Sequence, residues 1–216
     1  MLILSKRLPI RGRGYSLATK AYGPLACRVY ALVCESTKDA AVVDPSFHNP
    51  SEFQAFVEYL EQQNANLKHV FLTHGHPDHV VGVVETMKEW PEASLHLHPL
   101  EEENYANARD MGFDFGIQFP HETLPPPTHE LGDGDVLEVG NSIKLSVVHT
   151  PGHSPGHVAL VDRRGHREFS EDGDSTGKMD DLGNNGNVLI SGDLLFHGSV
   201  GRTDFHNSSM NDLSAR

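Results

Sequence analysis

The stretch Thr73-His74-Gly75-His76-Pro77-Asp78-His79 decides how this chain is interpreted. It follows a short apolar run that predicts a buried strand, and it leads into a predicted helix. Side chains two residues apart at a strand end point to the same side, so His74 and His76 can bind one ion. Asp78 and His79 lie at the turn into the helix, where they can face a second ion. The alternative is a solvated histidine-rich turn, which would leave several polar groups beside a buried strand without partners.

Two further polar segments also follow predicted strands. Thr150-Pro151-Gly152-His153 comes after the strand Ile143–Val148, and Ser191-Gly192-Asp193 comes after the strand Val188–Ile190. Polar loops at the ends of several strands are a common way for a rigid sheet to assemble one site from distant parts of a chain. The sequence therefore predicts a metal centre built from three segments.

Taken together, these motifs resemble those of the metallo-β-lactamase superfamily. Within it, Gly192–Phe196 followed by Gly201–Phe205 resembles the glyoxalase II-like hydrolases and the related persulfide dioxygenases. The resemblance extends from about Gly23 to Phe205. It implies an α+β fold, a four-layer αββα sandwich with the metals in a cleft at one edge of the two sheets.

The same resemblance implies a role for each candidate site residue. His74, His76 and His153 hold the first metal, Asp78 and His79 hold the second, and Asp193 bridges both. Asp78 is also the catalytic candidate, because its carboxylate can orient a hydroxide. Arg202 is the candidate for binding a substrate carboxylate, and an ion pair with Asp204 is an equal alternative for it. The implied cofactor is zinc, as one or two ions, with iron or manganese as alternatives that nitrogen and oxygen ligands do not separate.

The function implied is hydrolysis of a thioester such as S-lactoylglutathione by a metal-bound hydroxide. One alternative is a persulfide dioxygenase with a single iron held by His74, His153 and Asp193. The other is a non-catalytic, metal-binding remnant of the fold. The expected partner is a small molecule, with a glutathione conjugate as the first candidate.

The carboxyl end of the chain departs from the family pattern. Members of the family carry one further second-site histidine well beyond the bridging aspartate, whereas this sequence ends at Arg216. We therefore expect a fold that lacks its C-terminal strand and helix, and a second metal site that is incomplete unless the protein continues.

Composition bears on the partners and on the compartment that we expect for this protein. The 216 residues include 30 acidic and 17 basic ones, for a formal net charge of −13, which disfavours binding to nucleic acid. No segment approaches the roughly 18 apolar residues of a membrane span. Cys27 and Cys34 lie on opposite faces of one predicted strand and favour a reducing compartment such as the cytoplasm. Six basic and no acidic residues before Glu35 leave a mitochondrial or plastid transit segment as the alternative.

Outside the motifs, the pattern predicts alternating strands and helices from residue 15 onward. The predicted strands are Arg28–Cys34, Ala40–Val43, Val70–Leu72, Ser94–His98, Ile143–Val148, His157–Val161 and Val188–Ile190. The predicted helices are Ser51–Gln63, opened by a capping box of Ser51 and Gln54, His79–Trp90 and Glu101–Met111. A long loop is expected between Gly112 and Gly134. We expect one metallo-β-lactamase-like domain over residues 15–216, after a basic arm at 1–14 and with an acidic, glycine-rich insertion at 165–187.

Overall fold

The structure is a computed structural model that describes residues 7–9, 14–162 and 188–215. The insertion expected at 165–187 lies outside the described residues, and so does most of the basic arm at 1–14. Among the helices of the described residues, none is long and apolar enough to cross a membrane.

The first sheet contains seven strands that lie side by side in the order of the sequence. They are β1 (Arg7–Pro9), β2 (Tyr15–Tyr22), β3 (Cys27–Cys34), β4 (Asp39–Val43), β5 (Asn66–Phe71), β6 (Ser94–Leu97) and β7 (His129–Glu130). The strands β1 to β4 are antiparallel to their neighbours, whereas β4 to β7 run parallel. Because parallel strands end at the same edge, the loops after β4, β5 and β6 emerge together.

The second sheet is antiparallel and has four strands in the described part of the chain. They are β8 (Val136–Val139), β9 (Ile143–His149), β10 (Val158–Asp162) and β11 (Val188–Ile190). A separate two-stranded hairpin follows, formed by β12 (Leu195–Phe196) and β13 (Ser199–Val200). The backbone N–H of Val158 donates to the carbonyl oxygen of Thr73 at 2.9 Å and so ties the second sheet to the loop after β5.

Short helices connect the parallel strands. They are α1 (Pro50–Gln62), α2 (Pro77–Val80), α3 (Val83–Glu89), a single 3₁₀ turn (Pro99–Glu101), α4 (Glu102–Ala106), α5 (Ala108–Asp114) and α6 (Met210–Ser214). In α1, Phe56, Tyr59 and Leu60 are buried against the first sheet. This apolar stripe at helical spacing is the reason that α1 covers the sheet.

Two apolar cores hold these layers together. One core lies between the helices and the first sheet and includes Val29, Ala31 and Val33 of β3. The other lies between the two sheets and includes Leu32 of β3 and Leu145 of β9. Since successive side chains of a strand point to opposite faces, β3 contributes to both cores. The expected α+β sandwich of helices and two packed sheets is confirmed.

Several details of the predicted elements are wrong. The capping residue of α1 is Asn49, whose side chain accepts from the backbone N–H groups of Ser51 and Glu52, so the capping box of Ser51 and Gln54 does not form. The helix expected over His79–Trp90 is two helices, α2 and α3, separated at Gly82. A Cβ at Gly82 would lie 2.5 Å from the carbonyl oxygen of Pro45, and this close packing explains why glycine stands at the break.

Other boundaries differ as well. The helix expected over Glu101–Met111 is a 3₁₀ turn followed by α4 and α5, which are separated at Asn107. The loop expected from Gly112 to Gly134 begins only after α5 and contains β7. The strands β1, β2, β8, β12 and β13 were not predicted. The first four residues of β2 are all buried, so its sequence does not show the clean alternation of apolar and polar residues that predicts a strand.

Candidate metal centre

Three loops meet at one edge of the sandwich and bring the predicted ligands together. The first loop follows β5 and carries His74 and His76, and the second connects β9 to β10 and carries His153. The third follows β11 and carries Asp193. These are the three segments that the sequence predicted would form one site.

The first candidate metal position is formed by three histidines. Nδ1 of His76 lies 2.8 Å from Nε2 of His153, and that atom lies 3.2 Å from Nε2 of His74. One ligand atom from each of the three lies within 4.8 Å of the others, and all three residues are buried. Three imidazole nitrogens pointing at one another are an arrangement that a metal ion stabilises, because it accepts a lone pair from each.

Two of these rings are held in place by oxygen atoms that contact Nδ1, the nitrogen that faces away from the other histidines. Nδ1 of His74 lies 3.0 Å from the hydroxyl of Thr73, and Nδ1 of His153 lies 2.9 Å from the carbonyl oxygen of Arg202. A ring that donates its Nδ1 proton to such an oxygen keeps Nε2 unprotonated and free for a metal. The outward contacts therefore select the tautomer that a ligand needs.

The second candidate position is formed by His79, Asp78 and Asp193. Nε2 of His79 lies 3.5 Å from Oδ2 of Asp78 and 3.2 Å from Oδ1 of Asp193. The other oxygen of Asp193, Oδ2, lies 3.5 Å from Nε2 of His153 in the first position. Asp193 thus faces both candidate positions, with a different oxygen toward each.

The donor set fits a metal ion. Nε2 of His79, the nitrogen that faces Asp78 and Asp193, is buried and has no hydrogen-bond partner among the described residues. Leaving buried polar atoms without partners costs free energy, so such atoms need an explanation, and a bound ion supplies one. Nitrogen and carboxylate oxygen donors suit zinc, iron and manganese alike.

The electrostatics of the cluster agree with this interpretation. Burial, together with the neighbouring histidines, lowers the pKa of His74 well below its ordinary value. Burial also lowers the pKa of His153, so both rings stay neutral and able to bind a cation. Burial alone would raise the pKa of Asp193, but His79, followed by the other nearby histidines, lowers it below the usual range. The carboxylate is therefore ionised.

Two acidic residues that the sequence analysis did not identify support the loops. The carboxylate of Asp44 accepts from the backbone N–H and the hydroxyl of Thr73, both at 2.8 Å, and it lies 3.0 Å from Nδ1 of His79. Glu101 is fully buried and accepts from the backbone N–H of Gly75 at 2.8 Å and of Gly156 at 2.7 Å. Glu101 thereby joins the first metal loop to the second.

His157 supports the site through contacts with the backbone and with a hydroxyl group. Its Nε2 accepts from the backbone N–H of Asp193 at 3.1 Å, and its Nδ1 lies 2.8 Å from the hydroxyl of Thr150. Burial lowers the pKa of His157 to about 3, which keeps Nε2 available as an acceptor. The ring thus holds the backbone that carries Asp193.

Both predicted metal positions border an open cavity of about 610 Å³. Its wall contains polar residues near the histidines and apolar residues of the β12–β13 hairpin.

Arg202 also lines the cavity and donates two hydrogen bonds to Asp204, from Nε to Oδ1 at 2.7 Å and from Nη2 to Oδ2 at 2.8 Å. The ion pair that the sequence left open for Arg202 is therefore present. The same guanidinium lies 4.6 Å from the centre of the Phe205 ring.

Cys27, at the start of β3, is the remaining metal-competent side chain in this region. Its sulfur lies 3.5 Å from Nδ1 of His79, on the side of the ring that Asp44 also contacts. Burial raises the pKa of the thiol to about 11, so it is neutral at ordinary pH. Cys27 packs against the back of a candidate ligand.

Comparison with known proteins places this chain in a family. The family model of the metallo-beta-lactamase superfamily matches residues 22–170, and the chain belongs to that superfamily. The fold of this superfamily binds metal ions, and the histidine cluster of this chain is a candidate site for them.

Individual relatives narrow the class further. The chain is similar to the hydroxyacylglutathione hydrolase GloC of Haemophilus influenzae, at 25% identity over 81% of this chain and 70% of that one. It is also similar to the probable metallo-hydrolase YqgX of Bacillus subtilis, at 30% identity over 84% of this chain and 72% of that one. The solved structure of TTHA1623 in a di-iron-bound form has a TM-score of 0.69 and 28% identity, and covers 91% of this chain and 82% of that one. The protein is thus a relative of metallo-hydrolases.

Proposed function

We propose that this protein hydrolyses a thioester of the S-lactoylglutathione type with one or two metal ions held at the candidate centre. The observation that carries the proposal is the position of Asp193, whose two carboxylate oxygens face His79 and His153 separately. A site with two adjacent metal positions beside an open cavity suits hydrolysis of a small substrate. The names of the hydroxyacylglutathione hydrolase relatives support the choice of substrate.

In this proposal six side chains would hold the metal, which we take to be zinc. His74, His76 and His153 would hold the first ion, Asp78 and His79 the second, and Asp193 would contact both. Metal ions in such positions lower the pKa of water toward about 7 and polarise a carbonyl oxygen.

The remaining catalytic work falls to the chain itself. The side chain of Asp78 is 13% exposed and borders the cavity, so its carboxylate is placed to orient an attacking water and to accept its proton. Asp44 and His157 position the groups beside it. We keep Arg202 as a proposed substrate contact, because its planar guanidinium lines the cavity even while it is paired with Asp204.

A reducing compartment such as the cytoplasm is part of the same proposal. Cys27 and Cys34 are both free and buried, which supports it.

The test is hydrolysis of S-lactoylglutathione by the zinc-loaded protein. The reaction is monitored through the free thiol of glutathione that it releases. We expect turnover by the unmodified protein and a fall in kcat of about a hundredfold or more in Asp78→Asn, because the variant cannot take up the proton. Asp110→Asn, a change at an exposed carboxylate on α5, serves as the matched control. Metal content is measured in every sample, so that a lost ion is not mistaken for a lost proton acceptor.

Two results would contradict the proposal. One is no turnover by a folded, fully metal-loaded protein, which would favour a metal-binding remnant of the fold. The other is a single iron in protein purified without added metal, together with rapid oxygen uptake on glutathione persulfide. That result would favour a dioxygenase.

A further inference from the structure

Two arginines line the cavity, and they differ in their partners. Arg202 is bound through two nitrogens to the carboxylate of Asp204, which neutralises its charge. Arg28, near the start of β3, has no ion pair or hydrogen bond from its side chain within the described residues, and it is exposed. Arg28 is therefore the guanidinium of the described cavity wall that is free to bind an anion.

The backbone of β2 and β3 directs Arg28 toward the cavity. On the face of these strands that meets the second sheet, Leu17 pairs with Leu32 in the core between the sheets. The next pair on that face is Thr19 with Tyr30, and the one after it places Arg28 beside the small side chain of Ala21. Side chains two residues apart on a strand share a face, so this face changes from apolar to polar as it leaves the core and reaches the cavity.

Tyr30 supplies a second free polar group on this face. Its ring packs on the core between the sheets, and the residue lines the cavity together with Arg28 and Asp44. Its hydroxyl has no hydrogen-bond partner among the described residues. Burial and then the charge of Asp44 raise the pKa of the hydroxyl, while the charge of Arg28 lowers it. The hydroxyl therefore keeps its proton and can donate a hydrogen bond.

Tyr30 also connects Arg28 with the candidate metal centre. On β4 it pairs with Val43, the residue before Asp44, whose carboxylate lies 3.0 Å from Nδ1 of His79, and along β3 it lies two positions from Arg28 on the same face. A substrate whose reacting carbonyl lies at the metal positions would therefore extend past Tyr30 toward the guanidinium. Elsewhere the cavity wall presents carboxylates, from Asp44, Asp78 and Asp193, which would repel an anion unless metal neutralises them.

Another part of the cavity wall is apolar. Leu195, Phe196 and Val200 of the β12–β13 hairpin line the cavity and are each about half exposed. Such a wall contacts the uncharged part of a substrate but offers nothing to a carboxylate. The two walls together suit a ligand with one anionic end.

We propose that Arg28, assisted by the hydroxyl of Tyr30, binds a carboxylate of the substrate and makes the enzyme selective for anionic thioesters. This inference rests on the proposed thioester hydrolysis and adds the residues that recognise the anionic end of the substrate. An arginine matches a carboxylate through two parallel N–H bonds, and the tyrosine hydroxyl can donate a third. Arg28 then fixes the end of the substrate that does not react.

The first experiment measures binding without chemistry. S-methylglutathione, which lacks both a thioester and a free thiol, is titrated calorimetrically into the zinc-loaded protein. We expect Arg28→Met to weaken binding about tenfold or more, as a lost charge-assisted bond does. Arg28→Lys should restore part of the affinity, and Tyr30→Phe should weaken binding by a smaller factor. Arg109→Met, which removes an exposed charge of α5 that does not line the cavity, is the control for net charge.

The second experiment separates selectivity from catalysis. The KM of Arg28→Met is compared for S-lactoylglutathione and for the lactoyl thioester of N-acetylcysteamine, which has no carboxylate. We expect the increase in KM to be about tenfold larger for the anionic substrate, with a much smaller change in kcat. If Arg28 had a purely structural role, the substitution would raise KM equally for both substrates, and that result would overturn the proposal.

The outcomes of the two proposals are distinct. If thioester hydrolysis fails but S-methylglutathione binds in a manner that depends on Arg28, the proposed function falls and the anion site stands. If the unmodified protein does not bind S-methylglutathione, or Arg28→Met binds it within twofold of the unmodified protein, the anion site is wrong whatever the enzyme hydrolyses.

Discussion

Oδ2 of Asp44 lies 3.0 Å from Nδ1 of His79, and this contact determines which nitrogen of the ring faces the cavity. Asp44 is itself buried and held in place by two donors of Thr73. Because Nδ1 of His79 donates to the carboxylate, Nε2 is left with its lone pair for a metal. Burial opposes the charged form of the ring, but the surrounding acidic groups raise the pKa of His79 well above its ordinary value, so Nε2 holds a proton when no ion is bound. The same surroundings favour a metal ion in place of that proton, and binding of the ion would release it.

This relationship predicts the effect of Asp44→Asn. The amide keeps the shape of the side chain but has one acceptor oxygen where the carboxylate has two, so it cannot accept from all three donors, the backbone N–H and the hydroxyl of Thr73 and Nδ1 of His79. We expect the affinity of the second metal position to fall about ten- to a hundredfold, the usual effect of losing a partner behind a histidine ligand. Stepwise zinc titration against a chromophoric chelator measures it. Asp110→Asn is the control, and two zinc ions bound with unchanged affinity in Asp44→Asn would contradict the prediction.

The hydrogen bonds of Glu101 predict that one side chain stabilises two loops that are distant in sequence. In Glu101→Gln, one of the backbone N–H groups of Gly75 and Gly156 would face an amide NH₂ in place of an acceptor. A buried donor without a partner costs about 1 to 3 kcal/mol, so the free energy of unfolding should fall by about that amount. Zinc should also bind more weakly at the first position, because His74 and His153 lie on the two loops that Glu101 joins.

Urea unfolding of the metal-free protein and zinc titration check this prediction together. Glu102→Gln, at the exposed neighbouring position, should change the unfolding free energy by less than about 0.5 kcal/mol. Equal effects of the two substitutions would show that Glu101 does not join the loops.

Much of the candidate site could be predicted from the sequence because its residues come in short motifs. His74, His76, Asp78 and His79 lie within six positions, and local strand geometry already places them side by side. Asp44 was missed although the signal was present. It follows the apolar run Ala40–Val43 just as Asp193 follows Val188–Ile190.

Other parts of the molecule carry no local signal. Glu101 meets Gly75 and Gly156 only because the folded chain brings three loops together, and nothing in the residues around it indicates that. The strand β2 was missed because its buried positions are consecutive, so the period of two is hidden. The packing of two sheets against each other came from the family resemblance and could not be derived from the order of the elements.

Gly192, just before Asp193, predicts a local requirement for glycine. Its φ of +48° is one that other residues adopt at a cost, and a Cβ would lie 2.7 Å from both Nε2 of His157 and the hydroxyl oxygen of Thr73. We expect Gly192→Ala to lower the free energy of unfolding by about 2 to 4 kcal/mol, from backbone strain and overpacking together. Displacement of His157 should also weaken zinc binding through Asp193.

The chain offers a matched control for that substitution. Gly198 also has a positive φ, of +79°, but a Cβ there would meet no atom within 4 Å. Gly198→Ala should therefore show only the backbone cost of about 1 to 2 kcal/mol, with normal zinc binding. If both variants lose the same stability in urea, the contact with His157 and Thr73 is not what requires glycine at 192.

His96 predicts a dependence of stability on pH that is separate from the metal centre. Its ring lies 2.7 Å from the hydroxyl of Ser94 and stacks on His129 at 4.7 Å, and it is 8% exposed. Burial, and then the nearby rings of His69 and His129, lower its pKa to about 4. Between pH 6.5 and 4 the unfolded chain binds a proton at this residue and the folded protein does not, so stability is lost as the pH falls through this range.

The measurement compares urea unfolding of the metal-free protein with that of His96→Gln at pH 7 and pH 4.5. On acidification, the unmodified protein should lose up to about 3 kcal/mol more than the variant, since each pKa unit corresponds to about 1.4 kcal/mol. The buried histidines of the metal centre titrate in both proteins, so their contribution cancels in the comparison. His206→Gln, at an exposed ring, should behave like the unmodified protein. Parallel stability curves for His96→Gln and the unmodified protein would mean that the His96 ring is protonated in the folded state as readily as in the unfolded one.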